Sequence, residues 1–124
     1  MIAVVTGTRR ETRKGEVSRW LDEVKPRLVV VGCCPSGVDR EAREWCNQTG
    51  VVAVVCTAPW GRLRKGAGPL RNGAIAEVTQ ALANQLLEDT RCAAFPDEDS
   101  VGTHDCARKL YAMGFEVEIR GDKG

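Results

Sequence analysis

Five short apolar runs rich in β-branched residues, separated by stretches of helical periodicity, constrain this chain more than any other feature. Ile2 to Thr6, Leu28 to Val31, Val51 to Thr57, Cys92 to Phe95 and Phe115 to Ile119 are continuous rather than alternating runs. Continuous runs suit strands covered on both faces. Between them, Val17, Trp20, Leu21 and Val24 form one helical stripe, stopped by Pro26. Val38, Ala42, Trp45 and Cys46 form a second, and Ile75, Val78, Leu82 and Leu86 a third that Pro69 opens at the expected first helical position. Ala107, Leu110 and Tyr111 form a fourth, with Gly114 as its stop. The pattern predicts an α/β three-layer sandwich: a mostly parallel five-stranded sheet with about four helices on its two faces.

At 124 residues the expectation is a single domain over 1–119, followed by a frayed tail from Arg120 to Gly124. A net charge of +1 argues against nucleic-acid or membrane binding driven by bulk charge, so any basic site must be local. The opening Met1 to Gly7 has no charged leader region and is too short to span a bilayer; a cytoplasmic protein without membrane partners is expected. Six cysteines stand at 33, 34, 46, 56, 92 and 106 without C-x-x-C spacing, and there is one histidine. No metal or other cofactor is therefore expected, and Cys46, Cys56, Cys92 and Cys106 read as buried thiols on helices and strands. Cys33 and Cys34 fall in a loop. The faces carrying Trp20 and Trp45 read equally as core or as the seam of a homo-oligomer.

In such a sheet, ligands bind beyond the carboxyl ends of the strands. Four loops meet there: Gly7 to Lys14, Gly32 to Ser36, Thr57 to Gly68 and Pro96 to Gly102. From Thr57 to Ala76 there is no acidic residue, while Arg62, Arg64, Lys65 and Arg71 are basic. Positive charge gathered at a helix start suits an anion, which points to a phosphorylated ligand. Gly32 and Gly37 bracket a loop of small residues whose amides can approach a phosphate, but Val38-Asp39 stands where a Walker A loop needs Lys-Ser/Thr. Ser36 and Asp39 have capping-box spacing, so Asp39 is either a cap or a ligand contact. Gly68-Pro69 begins the third helix and places Arg71 and Asn72 on its first turn, where the Arg71 fork suits bidentate phosphate binding. Trp60 offers a stacking platform. Arg9 is placed to reach a phosphate, whereas Arg10, Arg13 and Lys14 are expected to face solvent. Thr103 reads as an N-cap, beside an acidic triplet, Asp97-Glu98-Asp99, that opposes anion binding.

Taken together, G-T-R at 7–9, G-C-C-P-S-G-V-D-R-E-A-R-E-W at 32–45, A-P-W-G-R-L-R-K-G-A-G-P-L-R-N at 58–72 and A-F-P-D-E-D-S-V-G-T at 94–103 resemble the small YspA-like (DUF2493) branch of the SLOG superfamily. That superfamily is Rossmann-like and includes the DprA and LOG-type proteins. The resemblance implies a nucleotide or nucleotide-derived ligand. It implies ligand roles for Gly7, Thr8, Arg9, Ser36, Gly37, Asp39, Arg40, Trp60, Lys65, Arg71, Asn72, Gly102 and Thr103. Two departures stand out. Cys33 replaces the second of a glycine pair, and Asp97-Glu98 replaces a later Gly-Gly pair. The catalytic Glu of the LOG enzymes falls at Cys106.

Three functions follow as expectations. The first is binding or sensing of a nucleotide-like ligand. The second is hydrolysis of an N-glycosidic bond in nucleoside monophosphates, with Asp39, Asp97 and Asp105 as the candidate carboxylates. The third, single-stranded nucleic-acid binding by analogy with DprA, is disfavoured by the near-neutral charge and the single aromatic platform.

Overall fold

The structure is a computed structural model that describes residues 1–58, 66–98 and 100–121. Among the described residues, five strands, β1 (Ile2–Gly7), β2 (Leu28–Gly32), β3 (Val52–Cys56), β4 (Thr90–Phe95) and β5 (Val117–Ile119), alternate with four α-helices. These are α1 (Glu16–Val24), α2 (Gly37–Thr49), α3 (Ala67–Leu86) and α4 (Val101–Ala112). The sheet runs β3-β2-β1-β4-β5 and every pairing is parallel. This is the Rossmann-like doubly wound arrangement. The strand order reverses beside β1, so β1 and β4 flank the switch point.

Alternation along each strand divides the core. Ala3, Val5, Val29 and Val31 face α1 and α2, packing on Val17, Trp20, Leu21, Val38, Ala42 and Trp45. Ile2, Val4, Leu28 and Val30 face α3 and α4, packing on Ile75, Ala76, Cys106 and Leu110. Trp20 and Trp45 are therefore core residues, and the Trp45 indole donates to Asp22 Oδ1 at 2.8 Å. Cys46, Cys56, Cys92 and Cys106 are buried at the expected places, while Cys33 and Cys34 are half-buried.

Several local expectations are corrected. The fourth helical stripe uses Cys106, fully buried, and leaves Tyr111 72% exposed. The chain leaves α4 through Gly114 (φ +97°), where Phe115 N–H donates to Leu110 O, so β5 begins only at Val117. β3 lies at the edge of the sheet and exposes Val52 and Val55 despite its continuous apolar run. Pro69 occupies the third position of α3, where its missing N–H is still one that the first turn leaves unbonded. Among the described residues, no helix is long and apolar enough to cross a membrane.

Arg13, expected in solvent, is 3% exposed. Its guanidinium grips Glu16 (2.6 and 2.9 Å), the Pro96 carbonyl (2.6 Å) and the Arg120 and Gly121 carbonyls, and lies over the Phe95 ring. Arg120 N–H also donates to Ala94 O at 2.8 Å. These two residues, assigned by sequence to a frayed tail, are thus held to the sheet.

Gly37 has φ +68°, and a Cβ there would lie 2.2 Å from the Thr8 carbonyl oxygen. Gly15 has φ +89°, and its Cβ would meet nothing within 4 Å. Both share the left-handed strain of about 1 kcal/mol, so Gly15→Ala is expected to cost about that much. Gly37→Ala is expected to cost about 3 kcal/mol or more, because backbone must also move. Urea denaturation of the two variants reads the difference.

Candidate functional site

The site is built where the loop after β1 meets the first turns of α2 and α4. A Cβ on Gly7 would come within 2.5 Å of Val38, so the end of β1 lies flush against α2. The α2 N-terminus is then filled by the chain itself. Val38 N–H donates to Thr8 O at 3.0 Å, and Gly37 N–H to Glu11 Oε1 at 2.9 Å. Glu11 Oε2 also takes Arg40 Nη2 at 2.7 Å, and Ser36 Oγ donates to the Arg9 carbonyl at 2.7 Å. Ser36, Gly37 and Arg40, expected on a ligand, therefore have partners within the protein. The capping box does not form. Ser36 makes no side-chain cap, and Asp39 Oδ2 instead accepts from Cys34 N–H at 3.2 Å.

Across the switch point, Asp97 ties the two loops together. Its carboxylate accepts from Thr8 Oγ1 at 2.7 Å and from Ser100 Oγ at 2.9 Å, with Arg10 Nε at 3.9 Å. Ser100 Oγ accepts in turn from Asp97 N–H at 2.7 Å. One member of the acidic triplet is thus engaged with hydroxyls. Ser100, not Thr103, is the N-cap of α4, and its side chain does not cap the helix. Val101, Gly102 and Thr103, the first turn of α4, line a cavity of about 260 Å³.

Thr6, Gly7, Thr8, Arg9 and Arg10 from β1 and its loop line the same cavity, with Cys34, Asp39, Arg71, Ile75, Asp97 and Ser100. Gly32 makes room for its charged pair. A Cβ there would lie 2.6 Å from Asp39 Oδ2 and 3.4 Å from Arg71 Cζ. Asp39 is 6% exposed. Burial pushes its carboxyl above the ordinary carboxylate value, against the opposing pull of Arg71, the Cys34 amide, Arg43 and Arg9. Arg43 Nη1 meanwhile donates to Gly32 O at 3.1 Å. The cavity therefore combines cationic side chains, the positive end of a helix, a buried carboxyl group and an apolar wall at Ile75.

The remaining candidates fall elsewhere. Asn72 is 3% exposed and donates to Gly102 O (3.1 Å) and Asp105 Oδ2 (3.0 Å), joining α3 to α4. Burial raises the Asp105 carboxyl, but hydrogen bonds from Lys109 and Asn72 outweigh it and hold the group below its usual value. Asp105 does not line the cavity, and neither does Gly68 within α3. Trp60, Lys65 and Asp99 lie outside the described residues. At the position of the LOG glutamate, Cys106 is fully buried, and burial pushes its thiol up to about 11, so no carboxylate acts from there. Sequence reasoning missed Glu11 and Ser100, and no local pattern marks either one.

No family profile and no curated protein sequence matches the chain. Among solved structures, the fold is similar to that of DNA processing protein A (DprA) from Streptococcus pneumoniae. The TM-score is 0.48 and the identity 16%, over 93% of this chain and 57% of that one. The chain thus spans little more than half of that protein, and the likeness concerns fold alone.

The Asp39 environment has a thermodynamic signature. Folded Asp39 keeps its proton to higher pH than the unfolded chain, so stability falls as pH rises from 3.8 through the raised value. Asp39→Asn is expected to be more stable than the natural protein at neutral pH, with the margin closing as pH drops below 3.8. Denaturation midpoints of both proteins across a pH series provide the check.

Proposed function

We propose that this chain is a small SLOG-like protein of the YspA-like branch that binds a nucleotide or nucleotide-derived ligand through its phosphate. The phosphate would sit at the α4 N-terminus between Arg9 and Arg71. The observation carrying this reading is the convergence of both arginines and the first turn of α4 on one cavity at the switch point. The α2 N-terminus, already occupied by Glu11 and the Thr8 carbonyl, is the poorer candidate. Charge-assisted hydrogen bonds contribute roughly 1.5–3 kcal/mol each. Micromolar affinity requires about 8 kcal/mol, so three or four such bonds suffice. At about 260 Å³ the cavity suits a phosphate with its sugar, leaving a base to extend past the rim.

Asp39 favours a second reading. A buried carboxyl raised in pKa and lining a phosphate pocket has the character of a general acid, as cleavage of an N-glycosidic bond requires. Keeping such a group buried costs stability, which is common at working sites.

The test is mass spectrometry of small molecules released by heat from freshly purified protein, followed by titration with adenosine monophosphate. Arg71→Ala is expected to weaken binding about 10- to 100-fold, the equivalent of one charge-assisted contact. Absence of any released nucleotide, together with no binding across a nucleoside monophosphate panel, would overturn the reading. Release of free base from the bound nucleotide, abolished in Asp39→Asn, would establish the hydrolase.

A further inference from the structure

We propose that Cys33 and Cys34 form a reversible disulfide whose formation weakens ligand binding in the adjoining pocket; the effect on ligand rests on the reading of that pocket given above. Each of the two cysteines holds one of the pocket's charged groups. Cys34 N–H donates to Asp39 Oδ2 at 3.2 Å, and Arg71 Nη1 donates to Cys33 Sγ at 3.8 Å. Both cysteines are half-buried and Cys34 lines the cavity, whereas the other four cysteines are buried.

Adjacent residues have Cα atoms ~3.8 Å apart. An unstrained disulfide wants about 4.4–6.8 Å. Closing the bond between neighbours therefore twists the peptide that joins them, and that peptide carries the Cys34 N–H. Asp39 loses its backbone donor and Arg71 its sulfur contact in one step. Strained, accessible disulfides are the easily reduced kind, as reversibility demands.

Hydrogen peroxide is the oxidant. One cysteine sulfur attacks a peroxide oxygen, the O–O bond breaks, and a sulfenic acid and water form. The neighbouring sulfur displaces hydroxide from the sulfenic sulfur, giving the S–S bond and a second water. Two thiols lose two hydrogens and two electrons, and the peroxide is reduced. Dithiothreitol reverses the bond by thiol exchange. Cys56, near Cys33 at the end of β3, is a poorer partner, being buried with its thiol pushed up by that burial.

Trypsin releases Leu28 to Arg40 as one peptide containing only these two cysteines. After peroxide treatment of the intact protein, that peptide is expected to lose two hydrogens. The Cys34 amide should exchange faster with solvent by NMR, and adenosine monophosphate should bind about tenfold more weakly, the loss of one charged contact. Dithiothreitol should restore all three, and the Cys34→Ser peptide should show no loss of two hydrogens after peroxide. A link from Cys33 to Cys56, no disulfide at all, or a disulfide that leaves the Cys34 amide unchanged would each overturn the proposal. So would a disulfide that moves the amide but leaves nucleotide affinity intact. If the disulfide and amide change appear while the nucleotide binds neither form, the cysteine switch is supported and the nucleotide reading fails.

Discussion

The backbone at Gly37 comes so near the carbonyl of Thr8 that even a methyl group has no room between them. That approach seats the loop leaving β1 on the first turn of α2. Once seated, the loop supplies its own acceptors to that turn, Thr8 O to Val38 and Glu11 to Gly37. The helix end that a glycine-rich loop would seem to offer to a phosphate is thereby closed from within. The loop is also directed toward β4, where Thr8 meets Asp97 and both face α4. The helices that follow the parallel strands all start at this rim, and this one contact closes the N-terminus of α2 while the first turn of α4 stays on the cavity.

The pocket carries charge where a stable protein would avoid it. Asp39 is buried beside Arg71 over a glycine whose missing side chain gives both of them space. Removing charges from water is costly, and a partner repays that cost incompletely. Asp97 shows the opposite arrangement, its carboxylate satisfied by two hydroxyls that belong to neighbouring loops. Asp97 lies in the cavity wall with its hydroxyl partners, and Asp39 is the carboxyl that burial raises above its ordinary value.

The layers were legible in the sequence because burial leaves a period: the stripes of α1, α2 and α3 and the apolar runs of β1, β2 and β4 reappear in the core, while β3 and β5, at the two edges, are only partly covered. The fourth stripe was misjudged because cysteine is a small hydrophobe that pattern reading underweights and tyrosine a large one it overweights. The rim was partly legible. Arg9, Arg71, Asp39, Gly102 and Thr103 do line the cavity. The small residues of the second loop, by contrast, read as space for a ligand when they serve as space for another stretch of the chain. Glycine looks the same in either role. The burial of Arg13 and the bond from Thr8 to Asp97 were illegible for a different reason. Apart from the neighbours Glu16 and Ser100, the hydrogen-bond partners named above lie 83 to 108 and 89 residues away and include carbonyl oxygens, which every residue possesses and no motif records.

The hold of Arg13 on Pro96 and on Arg120 and Gly121 bears on the order in which the molecule is completed. Pro96 immediately precedes the loop that carries Asp97. Contacts so distant in sequence close large loops and form late. During synthesis, β1 and its loop leave the ribosome early, yet Arg13 gains its full set of partners only once Arg120 and Gly121 have emerged. A nascent fragment that ends before β5 therefore lacks two of the carbonyls that hold the Arg13 guanidinium beside the Asp97 loop.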